Sequence, residues 1–399
     1  MKHRVSLSTA DLLPFFEERH VALASDLACM GDDLARHEGH GHEAARRLAR
    51  ELGESYGLYS LLVPESAGGF PVGAAHSPTF IDLRSVCLAR EMLGQVSPLA
   101  DAIFAVQGLG SYPLALAGSQ RQRTKLLPLF ITGKAVGAFA LTEPGAGSDV
   151  ASLTTTARKD GSSYVLDGEK VFISNAGIAT HYVVFANANP SAKREGITAF
   201  VVEADAPGLS VEPMATSTDH PLGRLRLDGC RVSEDAIVGE VGAGFRLAMQ
   251  TLDTFRVSVG AAAVGMARRA LDEAVTHVTQ RKQFGRPLSD QQLVKAHIAD
   301  MATELEASRL LAYRAAWMKD RGQARITREA AMAKLFATEA AFRIIDTAVQ
   351  LLGGLGVVEG SVVERLYREI RPLRIYEGTS EIQRLIVAGD VLQTGRGGG

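Results

Sequence analysis

Cysteine is scarce in this chain of 399 residues, and its three copies are far apart, at Cys29, Cys87 and Cys230. So sparse a set forms neither a disulfide framework nor the spacing of a zinc site, and it is typical of a reducing compartment. The histidines of the segment HEGHGHE, at 37–43, are separated by glycines and lack the HExxH spacing of a metal-binding helix. We therefore expect no metal, and a solvated turn at that segment.

A strong charge of either sign is also missing, since the formal net charge is −2. The chain thus has no global field that would attract nucleic acid or an anionic membrane. No apolar run approaches the roughly 20 residues that a membrane helix needs. The N-terminal segment lacks the apolar core of a signal peptide, and its early acidic residues argue against a transit peptide. We expect a bacterial cytoplasmic protein without nucleic-acid or membrane partners.

The spacing of apolar residues changes twice along the chain. Helical periodicity dominates residues 1–136, short alternating strand-like runs fill 137–244, and long helical segments rich in alanine occupy 245–399. Asp167-Gly168, between two short runs, predicts a two-residue hairpin. The predicted fold class is α+β and multi-domain: an N-terminal α-helical domain, a central antiparallel β-barrel or sandwich, and a C-terminal four-helix bundle.

The stretch 374–383, RIYEGTSEIQ, places a carboxylate beside a helix N-terminus. Glu377 is followed by Gly378, which suits a sharp turn, and Thr379 is a typical N-cap for the helical run after it. The free N–H groups of a helix N-terminus suit a phosphate or a ribityl hydroxyl of a cofactor. The alternative is an ordinary capped helix preceded by a solvated glutamate.

Four other segments could contact a ligand, and each also has an ordinary explanation. LTEPGAGSD at 141–149 is rich in loop hydroxyls and glycines, and FISNAG at 172–177 puts a ring and a hydroxyl on one strand face. RKQFGRPL at 281–288 offers arginines for a phosphate, or is a basic interhelical turn. QLLGGLG at 350–356 allows close backbone approach, or is a helix C-cap; it is not a Rossmann fingerprint, because it follows a helix.

Taken together and in this order, the segments resemble the acyl-CoA dehydrogenase family from about residue 10 to 392. The resemblance implies FAD between the β domain and the C-terminal helices, with two chains completing each cofactor site. It therefore implies a homo-oligomer, usually a tetramer built as a dimer of dimers. It also implies that electrons pass to an electron-transfer flavoprotein.

The resemblance assigns residues to FAD by their match to the family's segments. Where this chain has Phe172 and Ser174, the family often has Trp and Thr; the serine keeps the hydroxyl that would bond flavin N5. The implied cofactor contacts are Leu141, Thr142, Gly147, Ser148, Phe172, Ser174, Arg281, Gln283, Phe284, Gln350, Gly353, Gly354, Tyr376, Thr379 and Glu381.

The resemblance also implies the reaction, which is desaturation of an acyl-CoA thioester to trans-2-enoyl-CoA. Glu377 matches the base that removes the α-proton, while the β-hydrogen leaves as hydride to flavin N5. The N–H of Glu377 and a ribityl hydroxyl would form the oxyanion hole. Phe255 occupies the position where a minority of the family carries its base. The implied substrate contacts are Ser148, Asp253, Arg256 and Gly378.

One segment departs from the family pattern. Residues 214–221, MATSTDHP, lack the usual Gly/Trp-containing stretch, and the N-terminal third matches weakly, so the acyl group is not determined. The alternatives are an acyl-CoA oxidase on the same fold, a flavin monooxygenase or nitroalkane oxidase of the superfamily, or a catalytically silent acyl-CoA-binding protein. The chain length favours the dehydrogenase over the oxidase, and Glu377 counts against the monooxygenase.

Overall fold

A computed structural model describes residues 4–35, 41–72, 81–323 and 325–396. Its contacts divide the chain into two compact units. The helical unit consists of Met1–His37, Leu83–Asp101 and Arg256–Gly399. The sheet unit consists of Glu38–Asp82 and Ala102–Phe255. The domain boundaries predicted after residues 136 and 244 stay predictions.

Helices occupy both ends of the described chain, as the apolar periodicity predicts. Their bounds are α1 (Glu18–Leu34), α2 (Gly41–Glu54), α3 (Leu83–Val96), α4 (Pro98–Ala117), α5 (Gln120–Ile131), α6 (Gly244–Gln280), α7 (Gln292–Asp320), α8 (Thr327–Leu352), α9 (Val362–Ile370) and α10 (Ser380–Arg396). The N-terminus of α5 is a capping box in which Ser119 and Gln122 exchange side-chain-to-backbone hydrogen bonds.

Small residues let the helices of the helical unit approach closely. A Cβ on Gly265 of α6 would lie 2.1 Å from the carbonyl oxygen of Glu91 on α3, so only glycine fits this crossing. The alanines of α6 and α8 are buried in one apolar core with Ile344, Ile345 and Leu366. The alanine-rich segments of the sequence therefore form a closely packed helical core.

The strands of the described residues form one large sheet and one small hairpin. They are β1 (Gly137–Ala140), β2 (Thr156–Asp160), β3 (Ser163–Ser174), β4 (His181–Asn187), β5 (Ile197–Glu203), β6 (Leu209–Pro213), β7 (Leu222–Ser233), β8 (Ile237–Val238), β9 (Lys282–Gln283) and β10 (Arg286–Pro287). The large sheet runs in the order β6-β7-β3-β2-β4-β5-β8, with β1 on β4. Its pairings are antiparallel except β1 with β4 and β2 with β4. The predicted fold class, helical then β then helical, is confirmed.

The predicted hairpin at Asp167-Gly168 is wrong. β3 runs through these residues with a register shift between Leu166 and Gly168, and the turn between β2 and β3 lies earlier, at 161–162. Asp167 Oδ1 accepts a hydrogen bond from the N–H of Gly229 at 2.7 Å. Pairing with β7 therefore holds this dipeptide as a β-bulge instead of a turn.

Among the described residues, two helices meet the length and hydropathy of a membrane span: α4 and the stretch Thr327–Val357 that contains α8. The expectation that no such segment exists was therefore wrong by this measure. A core helix of a soluble protein meets the same measure, and 72% of the apolar window of α4 is buried. The window in α8 is 33% buried, and Lys334 and Glu339 of α8 make polar contacts within the helical unit.

Candidate functional site

The loop before α10 puts Glu377 in a left-handed backbone conformation. The φ angle of Glu377 is 52° and that of Gly378 is 91°, so the chain reverses sharply at these two residues. α10 then begins at Ser380, and Thr379 Oγ1 accepts a hydrogen bond from the N–H of Ile382 at 3.4 Å. The predicted N-cap is therefore confirmed.

Side chains from three helices hold the carbonyl groups of this loop. Gln383 of α10 donates from Nε2 to the carbonyl oxygens of Glu377, at 3.2 Å, and Gly378, at 2.8 Å. Lys334 of α8 donates from Nζ to the carbonyl of Gly378 at 2.9 Å. Arg256 of α6 lies with Nε 3.4 Å from the carbonyl of Glu377. The direction of the turn is thus fixed from several sides.

Glu339 of α8 anchors both ends of the same loop. Its carboxylate pairs with Arg374 through two contacts of 2.9 Å, and it accepts a hydrogen bond from Ser380 Oγ at 2.5 Å. The guanidinium of Arg374 also stacks on the ring of Phe342, 4.7 Å from its centroid. One side chain therefore links the residues before and after Glu377.

The carboxyl group of Glu377 is poorly solvated. The residue keeps part of its surface exposed, but Oε2 is buried and has no hydrogen-bond partner among the described residues. Burial raises the pKa of Glu377, while the cations of Arg90, Arg256 and Lys334 oppose the rise. The backbone N–H of Glu377 also makes no hydrogen bond within the described residues. Both groups are available to a ligand.

A buried ion pair beside Tyr376 and Glu377 could not be recognised in the sequence. Arg90 of α3 donates from Nε and Nη2 to Asp101 at 2.8 and 2.9 Å, and from Nη1 to Ser258 at 3.0 Å. Its charge acts on both Tyr376 and Glu377, and burial raises the pKa of the Tyr376 hydroxyl. Lys334 was also missed, although a lone lysine among the alanines of α8 was a signal that could have found it.

In the sheet unit, the loop after β1 is held by a buried ion pair. Lys170 Nζ lies 2.7 Å from Glu143 Oε1, and both side chains are almost fully buried. Burial alone would raise the pKa of Glu143, but Lys170 and the hydrogen bonds from Thr154 and Thr155 lower it to about 2. The carboxylate thus fixes the loop that carries the predicted contacts Leu141, Thr142, Gly147 and Ser148.

The end of β3 presents an aromatic ring and a hydroxyl next to that loop. The N–H of Val171 donates to the carbonyl of Thr142 at 2.9 Å, which joins the two segments. Phe172 has a φ of 57° and its side chain is 60% exposed, although large apolar side chains are usually buried. Ser174 Oγ lies 2.9 Å from Nε2 of His220. Sequence reasoning missed His220, although the segment MATSTDHP had been identified as unusual.

The segment after α6 is a hairpin with a protruding ring. β9 and β10 pair around Phe284 and Gly285, whose φ angles are 54° and 78°, as a type I′ turn requires. The side chain of Phe284 is 93% exposed, and Arg281 is exposed at the base of the hairpin. A cleft of about 510 Å³ lies between the end of α6 and the end of α8.

The end of α8 carries the other predicted contacts of the helical unit. Gly353 caps the helix with a φ of 60°, which agrees with the C-cap alternative for this segment, and Gly354 is exposed beside it. Gln350 and Glu381 are exposed on α8 and α10. Leu352 and Leu355 line the cleft, so these residues and the hairpin after Gln280 border one surface.

Strained backbone coincides with the predicted site. Five non-glycine residues in the described ranges have positive φ, and three of them are Phe172, Phe284 and Glu377. Such conformations cost about 1–3 kcal/mol each and cluster where ligands bind. The structure brings Arg256 and residues 376–379 together in the helical unit, and 141–148 together with Phe172 and Ser174 in the sheet unit. Asp253 is half-buried on α6 in the sheet unit.

The donor set at the end of β3 and in the loop after β1 fits a flavin. Within the described parts of the chain, no group of three or more His, Cys, Asp or Glu side chains could hold a metal ion. The exposed ring of Phe172 can pack on a flat heterocycle, and the hydroxyls of Thr142 and Ser174 can bond its polar edge. A Cβ at Gly147 would meet no atom within 4 Å, so the loop leaves open space for a ligand.

Family models match nearly the whole chain. They are described as "Acyl-CoA dehydrogenase, N-terminal domain" at residues 30–134, "Acyl-CoA dehydrogenase, middle domain" at 138–230 and "Acyl-CoA dehydrogenase, C-terminal domain" at 242–392.

Similar proteins cover most of the chain as well. The short-chain specific acyl-CoA dehydrogenase of Bos taurus mitochondria is 40% identical over 89% of this chain and 84% of its own length. The structure of butyryl-CoA dehydrogenase from Megasphaera elsdenii superimposes with a TM-score of 0.87 at 32% identity, covering 94% of this chain and 99% of that one. A structure described as an electron transferring flavoprotein of Acidaminococcus fermentans has the same TM-score and identity and covers 94% and 98%.

Proposed function

The chain belongs to the acyl-CoA dehydrogenase family and is an oxidoreductase acting on acyl-CoA, and from this premise we propose that it uses FAD to make trans-2-enoyl-CoA, with Glu377 as the base. The observation that carries the proposal is the carboxyl group of Glu377. Burial raises the pKa of this group, the residue lies in a strained turn, and Oε2 has no hydrogen-bond partner among the described residues.

Glu377 has the properties that removal of an α-proton requires. A thioester α-proton is weakly acidic, so the base must be close to it and its pKa must approach the working pH. Burial moves the pKa of Glu377 in that direction, and the unpartnered Oε2 can accept a proton. Arg90, Arg256 and Lys334 limit the rise, so the group can still ionise. Phe255 is buried and has no titratable group, so it offers no alternative base.

The backbone N–H of Glu377 supports the same reaction. It makes no hydrogen bond in the described parts of the chain, so it can donate to the thioester carbonyl as negative charge develops there. Gln383, Lys334 and Arg256 bind the carbonyl groups of Glu377 and Gly378 and so fix the turn that carries this N–H. We assign the second donor to a ribityl hydroxyl of the cofactor.

FAD would be held by the residues that the sequence assigned to it. Phe172 would lie against the flavin ring, Ser174 and Thr142 would bond its edge, and the N-terminus of α10 would face its polar chain. Bound FAD supplies the acceptor for the hydride that leaves the β-carbon. The contacts of Arg281, Gln283, Phe284, Gln350, Gly353 and Gly354 would be made to the FAD of a neighbouring subunit.

A cleft in the sheet unit fits the nucleotide part of a CoA ester. It measures about 830 Å³ and is lined by 151–154, Thr156, Asn187, Pro190 and 192–195, of which the first segment comes just after Ser148 in the chain. Lys193 and Arg194 stand on its border and provide positive charge for phosphate groups. Ser148, exposed on the preceding loop, would contact the acyl-CoA.

We propose a homotetramer, arranged as a dimer of dimers, that passes its electrons to an electron-transfer flavoprotein in the cytoplasm. The protruding Phe284, with 93% of its surface exposed, and the exposed apolar Val357 and Leu385 support contacts between subunits. Neither a membrane nor a nucleic acid takes part in this scheme. The similarity to short-chain and butyryl-CoA enzymes favours a short acyl group.

The proposal is tested by anaerobic bleaching of the purified yellow protein with a panel of acyl-CoA thioesters. We expect a short-chain thioester to bleach the flavin and to appear as the 2-enoyl product. Reoxidation is then followed with an electron-transfer flavoprotein and, separately, with oxygen. Rapid reoxidation by oxygen alone would identify an oxidase, and a flavin that no thioester bleaches would contradict the proposal.

A further inference from the structure

Ser174 and His220 face each other where β3 ends and β7 begins. Ser174, the last residue of β3, pairs with Leu222 of β7, and the N–H of Asn175 donates to the carbonyl of Pro221 at 2.9 Å. These two backbone links place His220 opposite Ser174, and Nε2 of the imidazole lies 2.9 Å from Oγ of the serine. The contact joins residues that are 46 positions apart in the sequence.

The imidazole of His220 is neutral near pH 7. Burial lowers the pKa of His220 to about 4, although the residue keeps part of its surface exposed. A neutral imidazole has one N–H donor and one acceptor nitrogen, and a serine hydroxyl has one hydrogen and two lone pairs. The role of His220 Nε2 therefore decides what Ser174 can offer to a third group.

We propose that His220 is a positioning residue that directs the Ser174 hydroxyl towards the flavin. If the Nε2–H group of His220 donates to Ser174 Oγ, the serine hydrogen remains free to donate to the cofactor. If Nε2 instead accepts the serine hydrogen, the lone pairs of Oγ remain free to accept a hydrogen bond from the cofactor. The edge nitrogen of an oxidised flavin accepts a hydrogen bond and that of a reduced flavin donates one, so the pair can match both states. The inference rests on the proposed function, because Ser174 must face FAD.

A purely structural role for the pair is the competing explanation. The backbone bonds Ser174–Leu222 and Asn175–Pro221 already hold β3 to β7, so the side-chain contact is not needed to join the strands. Removing a structural contact would lower stability and leave the balance between oxidised and reduced FAD unchanged. Removing a positioning contact would change that balance.

The test measures the midpoint potential of bound FAD by dye-coupled reduction, without any acyl-CoA. The proteins are the parent holoenzyme, Ser174→Ala, His220→Ala and the double variant. We expect each single change to alter the ratio of affinities for oxidised and reduced FAD about 3- to 10-fold, the effect of one hydrogen bond. The double variant should match Ser174→Ala, because His220 acts through that hydroxyl.

His181 provides a matched control in the same unit. Its Nδ1 lies 2.9 Å from Thr180 Oγ1, and its ring packs against Phe130, so it is also an imidazole–hydroxyl pair. His181→Ala should leave the potential at the parent value. A potential that does not respond to His220→Ala while it responds to Ser174→Ala, or additive effects in the double variant, would overturn the inference.

Two further measurements keep the result interpretable. If His220→Ala does not fold, the ¹⁵N shifts of the His220 ring in the parent and Ser174→Ala holoenzymes replace it. The inference is supported if the Nε2 shift differs between the oxidised and the reduced parent but not between the two states of Ser174→Ala. An Nε2 shift that is the same in the oxidised and the reduced parent overturns it. A parent protein that binds no FAD would remove the proposed function and the inference together; one that binds FAD and ignores His220 would remove the inference alone.

Discussion

Lys334 donates a hydrogen bond from Nζ to the carbonyl oxygen of Gly378 at 2.9 Å, so a buried ammonium lies directly behind the turn that carries Glu377. Burial lowers the pKa of Lys334 to about 8, against the attraction of Glu377. The lysine thus both fixes the turn and limits the pKa of the carboxyl group. A positive charge behind Glu377 keeps its carboxyl group able to ionise.

Lys334→Met should change how stability depends on pH. The folded-state pKa of Lys334, about 8, is below its ordinary value of 10.5, so the unfolded chain binds more protons between these values. The parent should therefore gain stability relative to Lys334→Met as the pH rises from 8 to 10.5, on the order of 2–3 kcal/mol. Urea unfolding at several pH values measures this. Lys295→Met, exposed on α7, is the control and should follow the parent curve.

Glu377→Gln should keep the fold and the yellow colour and lose dehydrogenation. The amide has the size of the acid but cannot take the α-proton, so the loss should reach or exceed the upper end of the roughly 10²–10⁴-fold range of general-base catalysis. Stopped-flow bleaching with a short acyl-CoA measures the rate, and an enoyl-CoA titration checks binding. Glu240→Gln, on the surface of the sheet unit, should behave as the parent. Bleaching of Glu377→Gln at the parent rate would exclude Glu377 as the base.

Gly378→Ala should distort the turn at Glu377. The φ of Gly378 is 91°, and an added Cβ would lie 2.6 Å from Nε2 of Gln383, which binds the carbonyl of Glu377. We expect a loss of about 1–3 kcal/mol in stability and a lower bleaching rate. A Cβ added at Gly389 in α10 would meet no atom within 4 Å, so Gly389→Ala should stabilise the helix by about 0.5–1 kcal/mol. Equal melting temperatures for the two variants would argue against the strain.

Arg281→Ala should weaken FAD retention if the hairpin reaches a neighbouring subunit. Loss of a charge-assisted hydrogen bond costs about 1.5–3 kcal/mol, so FAD should dissociate more readily on dilution. Fluorescence of released FAD and sedimentation velocity measure occupancy and oligomer size. Lys282→Ala, on the same exposed hairpin, is the matched control. Parental occupancy and size in Arg281→Ala would show that this arginine does not contact the cofactor.

Glu143→Gln should unfold more easily at pH 7, because it leaves the ammonium of Lys170 buried without its counter-charge. Removing one partner of a buried pair costs about 3–5 kcal/mol. The pKa of Glu143, about 2, lies below the ordinary 4.5, so the parent should lose this advantage as the pH falls from 4.5 to 2. Glu169→Gln breaks a half-exposed pair with Arg224 and should cost about 0–1 kcal/mol. Equal losses in the two variants would mean that burial of the pair is unimportant.

The sequence alone determined what depends on neighbours a few positions apart. Helical periodicity gave the long C-terminal helices, Thr379 was recognisable as a cap because it binds the N–H three residues later, and Gly353 as a C-cap because it follows the last helical turn. The five matching segments identified the family for the same reason, since each is a short contiguous word. Glu377 was found because its loop and its helix are adjacent in the chain.

Only the tertiary structure decided which distant side chains meet. Lys334 and Gly378 are 44 positions apart and Ser174 and His220 are 46 apart, and these contacts depend on helix packing and strand register rather than on local preference. The same reason explains the wrong hairpin at Asp167-Gly168, where pairing with β7 overrode a strong local turn signal. Local sequence thus specified the carboxylate, and packing specified the charges and hydrogen bonds around it, because burial and long-range contacts exist only in the folded chain.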